Sequence, residues 1–269
     1  MAIPHTPIDQ YQCSSFAAPI PGGRNITHDI YQRGSGAPVI LVQELPGIGE
    51  ETLRLADKLV DAGFEVIVPH LFGPIGKTST AGNLLRVFCM RKEFSVFAAN
   101  RSSPVVDWLK ALCQQVRESR DVAGVGVIGM CLTGNFAITL IGDNSVLAAV
   151  ASQPALPLHK QPALHMSQQE VAASRAALEQ KGQMLAFRFA GDKLPAAEKF
   201  QCIHDSFNAD GVERIRLRTL PGDGHSVLSL DFVDEEGHPT RQALAEVIAY
   251  FGERLGSDQG VTEAQNSRG

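Results

Sequence analysis

The feature that most constrains the fold of this chain is a regular alternation between short apolar runs and longer amphipathic segments. Short apolar runs bounded by turn residues predict buried strands, and apolar residues at helical spacing predict helices. The predicted strands are 26–31, 38–44, 65–69, 124–129, 146–151, 184–190 and 215–220. The predicted helices are 50–62, 83–99, 103–119, 132–142, 168–180, 195–209 and 238–254. This alternation predicts an α/β fold, with a mostly parallel central sheet and helices on both faces.

Length and composition predict one domain with a short polar tail. The 269 residues, 44% hydrophobic and 20% charged, suit a single large α/β core. No internal repeat and no linker of shifted composition interrupts 1–255, which we therefore expect to form one domain. The polar segment 256–269 and part of the first dozen residues are predicted to be disordered.

Charge and composition also narrow the partners that we expect. A net charge of -5 without a basic stripe argues against nucleic acid as a partner. We find no signal-peptide pattern at the N-terminus, and no apolar run approaches the roughly 20 residues that span a bilayer. The scattered cysteines lack metal-ligand spacing, so no metal or cofactor is expected. We expect a cytoplasmic protein without membrane contact, either a monomer or a small homo-oligomer.

A strand–turn–helix pattern surrounds Cys131, in the run VGVIGMCLTGNFA at 125–137. It resembles the nucleophile elbow G-x-S-x-G, with Gly129 as the first glycine and cysteine in place of serine. The second glycine, Gly134, lies one position later than that pattern asks. A thiolate at the first turn of a helix is stabilised by the helix dipole and is a competent nucleophile. The alternative is that Cys131 is a small buried apolar side chain, as most free cysteines are.

The same region also matches the dinucleotide-binding pattern G-x-G-x-x-G at 124–129. That pattern requires its first glycine at the turn from a strand into a helix. Here the glycines lie before and within the apolar strand, and no acidic residue occurs at 146–153 to hold a ribose. The sequence therefore argues against a nicotinamide-dependent oxidoreductase.

A base and an acid for Cys131 are available downstream in the order nucleophile, acid, histidine. Of the downstream histidines, only His225 lies in a glycine-rich loop directly after a strong predicted strand. Asp192 follows the preceding predicted strand and is the favoured orienting acid. Asp223, two residues before the histidine, is the alternative acid, although a residue in so tight a turn more often stabilises the turn itself.

Glu44 ends the apolar strand predicted at 38–44. Burying a carboxylate without a partner is costly, so this position predicts a functional group that shares or accepts the proton of the thiol. The alternative is a solvated charge at an exposed strand end.

Together these motifs resemble the dienelactone hydrolase family of α/β-hydrolases. In that family a Q-E pair ends the strand before the first sheet helix, and the nucleophile motif is G-x-C-x-G-G. The matching segments, which extend the similarity over about 26–252, are Gln43-Glu44, 53–72, 129–134, Gly191-Asp192 and Gly224-His225. Two departures are Thr133, in place of the first glycine of the G-G pair, and the longer 73–102 region, which borders the substrate pocket of the family.

The resemblance implies an α/β-hydrolase fold and a role for each matched residue. Cys131 would be the nucleophile, His225 the base, Asp192 the orienting acid and Glu44 the carboxylate that controls the proton of the thiol. The implied oxyanion hole consists of the backbone N–H groups of Leu45 and Leu132. As tentative substrate-binding residues we name Phe72, Phe88, Arg86 and Arg91, the arginines by analogy with those that bind a substrate carboxylate in the family.

We expect hydrolysis of an activated carboxylic ester or lactone, as a small-molecule substrate, through an acyl-cysteine intermediate. Two alternatives stay open from the sequence. A hydrolase of the same fold could act on activated phosphotriesters, because a thiolate also attacks phosphorus. A non-catalytic binding protein could retain the fold, because fold does not fix function.

Overall fold

The computed structural model of the protein describes residues 4–45, 47–76, 79, 81–82, 85–86, 93–95, 99–160 and 162–256. The strands are β1 Gln12–Ile20, β2 Arg24–Arg33, β3 Ala37–Val42, β4 Phe64–His70, β5 Val125–Met130, β6 Val146–Ser152, β7 Met184–Phe189 and β8 Ile215–Leu220. The helices are α1 Glu50–Asp61, α2 Val105–Arg120, α3 Gly134–Leu140, α4 Gln168–Lys181, α5 Ala197–Phe207 and α6 Pro239–Leu255. None of the helices in these ranges is long and apolar enough to cross a membrane.

The eight strands form one sheet in the order β1-β2-β4-β3-β5-β6-β7-β8. The first two strands pair antiparallel with their neighbours. All pairings from β4 across to β8 are parallel. The carboxyl ends of β3, β5, β6, β7 and β8 therefore meet at one edge of the sheet, where ligands bind in open α/β sheets. The predicted α/β fold is confirmed.

The core lies on both faces of this sheet, because successive side chains of a strand point to opposite faces. In β3, Ile40 and Val42 belong to one apolar cluster, which includes Trp108 of α2. Val39 and Leu41 belong to the other cluster, which α1 and α6 cover. All four of these β3 side chains are fully buried. This double burial explains why the strand sequence is continuously apolar rather than alternating.

Several element boundaries differ from the sequence prediction. β1 was not predicted, because most of its side chains are exposed at the sheet edge and its buried apolar residues, Ala18 and Ile20, are confined to its second half. Strand β3 ends at Val42, so Glu44 lies in the turn beyond the strand rather than within it. The helix predicted from 132 begins as a 3-10 turn at Cys131–Thr133 and continues as α3. The helix predicted over 83–99 and the disordered tail fall largely outside the described residues.

Candidate active site

Cys131 lies at the sharp turn between β5 and α3, and its backbone φ of 54° is in the left-handed region. A non-glycine residue adopts this conformation at a cost of about 1–2 kcal/mol, and such strain is concentrated at functional sites. The turn is closed tightly. A Cβ at Gly129 would collide with the Thr133 carbonyl oxygen, and one at Gly134 would lie 2.8 Å from the Pro154 Cα. The two glycines of the predicted elbow are therefore required by packing.

Thr133, the departure from the glycine pair of the family, is a buried structural member of the elbow. Its hydroxyl accepts a hydrogen bond from the Met130 N–H at 2.9 Å. The same hydroxyl lies 2.9 Å from the Met130 carbonyl oxygen and 3.3 Å from that of Val42, and can donate to either. This side chain thus connects Met130, the residue before Cys131, to the end of β3.

His225 extends from the loop after β8, and its ring contacts the acid that we favoured. The distance between His225 Nδ1 and Asp192 Oδ2 is 2.8 Å. The other oxygen of Asp192 accepts the Leu194 N–H at 2.8 Å, which fixes the carboxylate plane. Asp192 is only 8% exposed, whereas Asp223 is exposed and its side chain lies beside Gly191. The geometry therefore places Asp192, rather than Asp223, against the imidazole.

The side chain of His225 interacts with Cys131 as well as with Asp192. Burial lowers the pKa of His225, but the hydrogen bonds to Asp192 and Cys131 and the negative charges of both groups outweigh it. Together they raise the pKa of His225 to about 10. At neutral pH the imidazole is therefore protonated on both nitrogens, with the Asp192 carboxylate on one side and the Cys131 sulfur on the other. Cys131 itself is 6% exposed. These contacts distinguish it from an inert buried thiol.

Glu44 is buried, with 1% of its surface exposed, which excludes a solvated strand end. Its Oε2 accepts hydrogen bonds from Gln153 Nε2 and Ser226 Oγ, each at 3.1 Å. Its Oε1 accepts one from the hydroxyl of Ser229. Burial raises the pKa of Glu44, while the three donors and the charge of His225 oppose that rise.

The sequence led us to expect a direct contact between Glu44 and the thiol. The hydrogen bonds that the structure gives Glu44 are to Gln153, Ser226 and Ser229 instead. Within the described part of the chain, the interaction of the thiol is with His225. Glu44 therefore lies in the site as the centre of a polar cluster rather than as the hydrogen-bond partner of Cys131.

The three donors to Glu44 were not predicted from the sequence, although two of them carried a signal. Gln153 directly follows the carboxyl end of β6, at the same sheet edge as Cys131, and has a φ of 36°. Ser226 directly follows His225. Ser229 gave no signal, because only the turn of the loop after β8 brings its hydroxyl back to Glu44.

The residues of the implied oxyanion hole, Leu45 and Leu132, are both buried next to the elbow. Gln43, two positions before Leu45, supports this turn. Its amide oxygen accepts the Leu71 N–H at 2.8 Å, and its Nε2 donates to the Phe72 carbonyl at 3.0 Å. The turn that carries Glu44 and Leu45 is thereby joined to the loop after β4.

The tentative substrate-binding residues are distributed differently. Phe72 is buried in the core and packs edge-on against Phe94, with ring centroids 5.8 Å apart. Arg86 is exposed. Phe88 and Arg91 lie outside the described residues. Among the residues that the structure does describe, no group of three or more His, Cys, Asp or Glu side chains is arranged to hold a metal ion.

The fold and the site together define an α/β-hydrolase. Cys131 follows β5, Asp192 follows β7 and His225 follows β8, and nucleophile, acid and histidine have this chain order in that superfamily. The model of the dienelactone hydrolase family matches residues 30–255, and the chain belongs to this family. As a member it is a hydrolase that acts on ester bonds.

Solved structures share the fold at low sequence identity. A cold-adapted esterase from an Arctic intertidal metagenomic library is 15% identical, with a TM-score of 0.59 over 91% of this chain and 94% of that chain. A candidate dienelactone hydrolase from Klebsiella pneumoniae is 16% identical, with a TM-score of 0.56 over 90% and 99%. The esterase Pf2001 of Pyrococcus furiosus is 14% identical, with a TM-score of 0.54 over 95% and 98%. A search of the curated proteins found no match.

Proposed function

We propose that this protein hydrolyses activated carboxylic esters or lactones through an acyl-cysteine intermediate, with Cys131, His225 and Asp192 as its catalytic triad. The observation that carries the proposal is the strained Cys131, whose thiol interacts with an imidazole held by a buried carboxylate at 2.8 Å. Family membership and the names of the esterases with the same fold support an ester or lactone as the substrate.

Acylation begins from the ion pair of thiolate and imidazolium. The Cys131 sulfur attacks the carbonyl carbon, and the carbonyl oxygen becomes an oxyanion that accepts hydrogen bonds from the N–H groups of Leu45 and Leu132. The tetrahedral intermediate then expels the alcohol oxygen, and the His225 imidazolium gives its proton to that leaving group. Asp192 keeps the ring oriented throughout, because its Oδ2 holds Nδ1. The products of this step are the alcohol, or the opened ring of a lactone, and the acyl-cysteine.

Deacylation uses the neutral imidazole that acylation leaves behind. His225 takes a proton from water, and the resulting hydroxide attacks the acyl carbon under the same two N–H groups. Collapse of this second intermediate releases the carboxylic acid and restores the Cys131 thiolate beside a protonated His225. A thiolate suits substrates with good leaving groups, such as enol esters, so amide bonds are expected to be poor substrates.

Glu44 contributes a buried carboxyl group to the same site, and burial raises its pKa. It interacts electrostatically with His225 and holds three neighbouring side chains in place. We propose that it controls the proton of the thiol through these groups, by stabilising the form of the site in which His225 is protonated. The proposed route therefore differs from the one expected from the sequence, in which Glu44 shares the proton with Cys131 directly; the hydrogen bonds of Glu44 to Gln153, Ser226 and Ser229 support it.

A panel of esters, lactones and phosphotriesters, assayed on the purified protein, tests the proposal. We expect turnover of activated esters or lactones and its abolition in Cys131→Ala, with unchanged circular dichroism. Cys13→Ala, which removes an exposed thiol, is the matched control and should retain full activity. Rapid quenching and intact-mass analysis should show an acyl adduct on the native chain and none on Cys131→Ala.

Iodoacetamide labelling separates an enzyme from a binding protein that retains the fold. The proposal expects one hyper-reactive thiol at Cys131. Equal or uniformly slow labelling of all cysteines, together with no turnover on the panel, would contradict it. Preference for phosphotriesters over carboxylic esters on the panel would leave the triad in place but refute the proposed substrate.

A further inference from the structure

The loop that carries His225 is held by a carboxylate that the proposed mechanism does not use. A single oxygen of Asp231, Oδ2, accepts the backbone N–H of His225 at 2.7 Å and that of Ser226 at 2.8 Å. The carboxylate also covers Gly224, where an added Cβ would lie 3.0 Å from the Asp231 Cγ. Asp231 therefore contacts three consecutive residues of the catalytic loop.

These contacts close the chain between 225 and 231 into one compact turn. The Asp231 N–H donates to the Ser226 carbonyl at 3.1 Å, and the Ser229 N–H lies 3.3 Å from the same oxygen. The side chains of Ser226 and Ser229 both donate to Glu44. The turn thus presents the catalytic base on one side and two of the donors to Glu44 on the other.

Two glycines lead into this turn, so the backbone before His225 is little restricted by its own side chains. Gly222, with a φ of 116°, and Gly224 both precede the histidine, and glycine gives the backbone more freedom than any other residue. The Asp192–His225 distance of 2.8 Å depends on the ring emerging from that loop in one orientation. Two hydrogen bonds to one side-chain oxygen, at 2.7 and 2.8 Å, hold two successive peptide units in place.

We propose that Asp231 is a positioning residue for the active site. It orients His225 toward Asp192 and Cys131, and through Ser226 it holds the donor side of the Glu44 cluster. Its role is geometric: an acceptor at this place is required, and its negative charge by itself is not. The inference depends on the proposed function only for its kinetic consequence, because the orientation of His225 can be measured without a substrate.

Three substitutions separate the position of the acceptor from its charge. Asp231→Asn keeps an oxygen that can accept both N–H groups and loses the charge. Asp231→Glu keeps the charge but moves it by one methylene group, and Asp231→Ala removes the acceptor. Glu236→Ala is the matched control, because Glu236 is an exposed carboxylate in the same connection.

Titration of His225 by NMR, with isotope-labelled histidine, is the first measurement. We expect the native pKa of about 10 to persist in Asp231→Asn and Glu236→Ala. In Asp231→Ala and Asp231→Glu it should fall toward 6.5, because a displaced ring loses its bonds to Asp192 and Cys131. Steady-state kinetics on the best ester should show kcat reduced by about a hundredfold in these two variants, the effect of a misplacement near 1 Å, with KM nearly unchanged.

Each outcome of these measurements either supports or overturns the positioning role of Asp231. A native-like His225 titration in folded Asp231→Ala would overturn the proposal. An equal fall of the His225 pKa and of kcat in Asp231→Asn and Asp231→Ala would also overturn it, because the effect would then be due to the charge of Asp231. If Asp231→Ala does not fold, Asp231→Asn and Asp231→Glu are compared instead. A native-like His225 titration in Asp231→Glu, or its loss in Asp231→Asn, would then overturn the proposal. If the native protein hydrolyses no ester, the proposed function fails, while the titration still tests the role of Asp231.

Discussion

Replacing Glu44 by Gln tests the most unusual group in the site, a buried carboxylate that accepts three hydrogen bonds from neutral side chains. The substitution keeps the size and one acceptor oxygen, and the Ser hydroxyls can rotate to accept from the new amide. A hydrogen bond to a charged group contributes about 1.5–3 kcal/mol and a neutral one about 0.5–1.5, so each bond weakens by about 1 kcal/mol. Removal of a buried charge offsets much of that loss, so we expect the protein to fold.

Glu44→Gln should affect the rate of catalysis more than the stability of the fold. Without the negative charge near His225, the protonated imidazole and the thiolate beside it are less favoured, and acylation should become the slow step. We expect kcat to fall by about tenfold or more, which corresponds to about 1.4 kcal/mol in the activation free energy. Stopped-flow measurement with a chromogenic ester should show a burst of product in the native enzyme and none in Glu44→Gln.

Thermal unfolding as a function of pH gives a test that needs no substrate. Burial raises the pKa of Glu44 in the folded state above its value in the unfolded chain. The folded state therefore binds more protons between those two pKa values, and the stability that native Glu44 contributes is lost as pH rises through the folded value. The Tm of Glu44→Gln relative to the native protein should rise from about pH 4.5 upward. Glu236→Gln, at an exposed position, should show no such trend.

A result that would refute this reasoning is a Glu44→Gln variant with kcat within about threefold of the native value and an intact burst. That change corresponds to the roughly 0.5 kcal/mol of an ordinary surface substitution. The site would then be a plain Cys-His-Asp triad. A relative Tm independent of pH would in addition contradict the assignment of Glu44 as a buried, titrating group.

Three further predictions concern the triad and the elbow. His225→Ala should lose several orders of magnitude in kcat and Asp192→Asn less; far greater damage from Asp223→Asn in the same assay would show that the acid is misassigned. The raised pKa of His225 predicts a contribution to the free energy of unfolding that is complete below about pH 6.5 and is lost as pH rises toward 10. Chemical denaturation should show this pH dependence in the native protein and a weaker one in Asp192→Asn. Thr133→Val leaves the buried Met130 N–H without its acceptor and should lower the free energy of unfolding by about 1–3 kcal/mol. Thr133→Ser keeps the hydroxyl and should therefore have the stability and kcat of the native protein.

Local sequence was enough to predict the parallel part of the fold. The strand predicted at 215–220 coincides with β8, and the others were placed to within about two residues. The central strands, such as β3, were the clearest, because strands buried on both faces must be continuously apolar. The elbow was equally readable, since a nucleophile between strand and helix needs small residues at fixed places. β1 was not predicted, because most of its side chains are exposed and only Ala18 and Ile20 are buried, too few to indicate a strand. Its backbone pairing with β2 holds it in the sheet.

For the candidate site, too, the sequence predicted some features and only the structure showed the others. Cys131, Asp192, His225 and Glu44 were found from the sequence because each follows a recognisable strand, and parallel strands bring their carboxyl ends together. Their mutual contacts were not readable. The sequence led to a bond between Glu44 and the thiol, whereas in the structure that carboxylate contacts Gln153 and two serines instead.

Only the tertiary structure showed how the polar cluster and the base loop are held. Hydrogen bonds such as Ser229 to Glu44 join positions 185 residues apart, and the one that Asp231 makes with His225 depends on the path of an irregular turn. The spacing of apolar residues indicates which side of a strand or helix faces the core, and the ends of the predicted strands indicate where functional side chains can lie. The direction of a side chain in a loop is set by backbone dihedrals and by distant partners, which leave no periodic trace in the sequence. The sequence by itself therefore determined the fold class and indicated the candidate site residues, and the packing of the loops at the sheet edge decided how those residues meet.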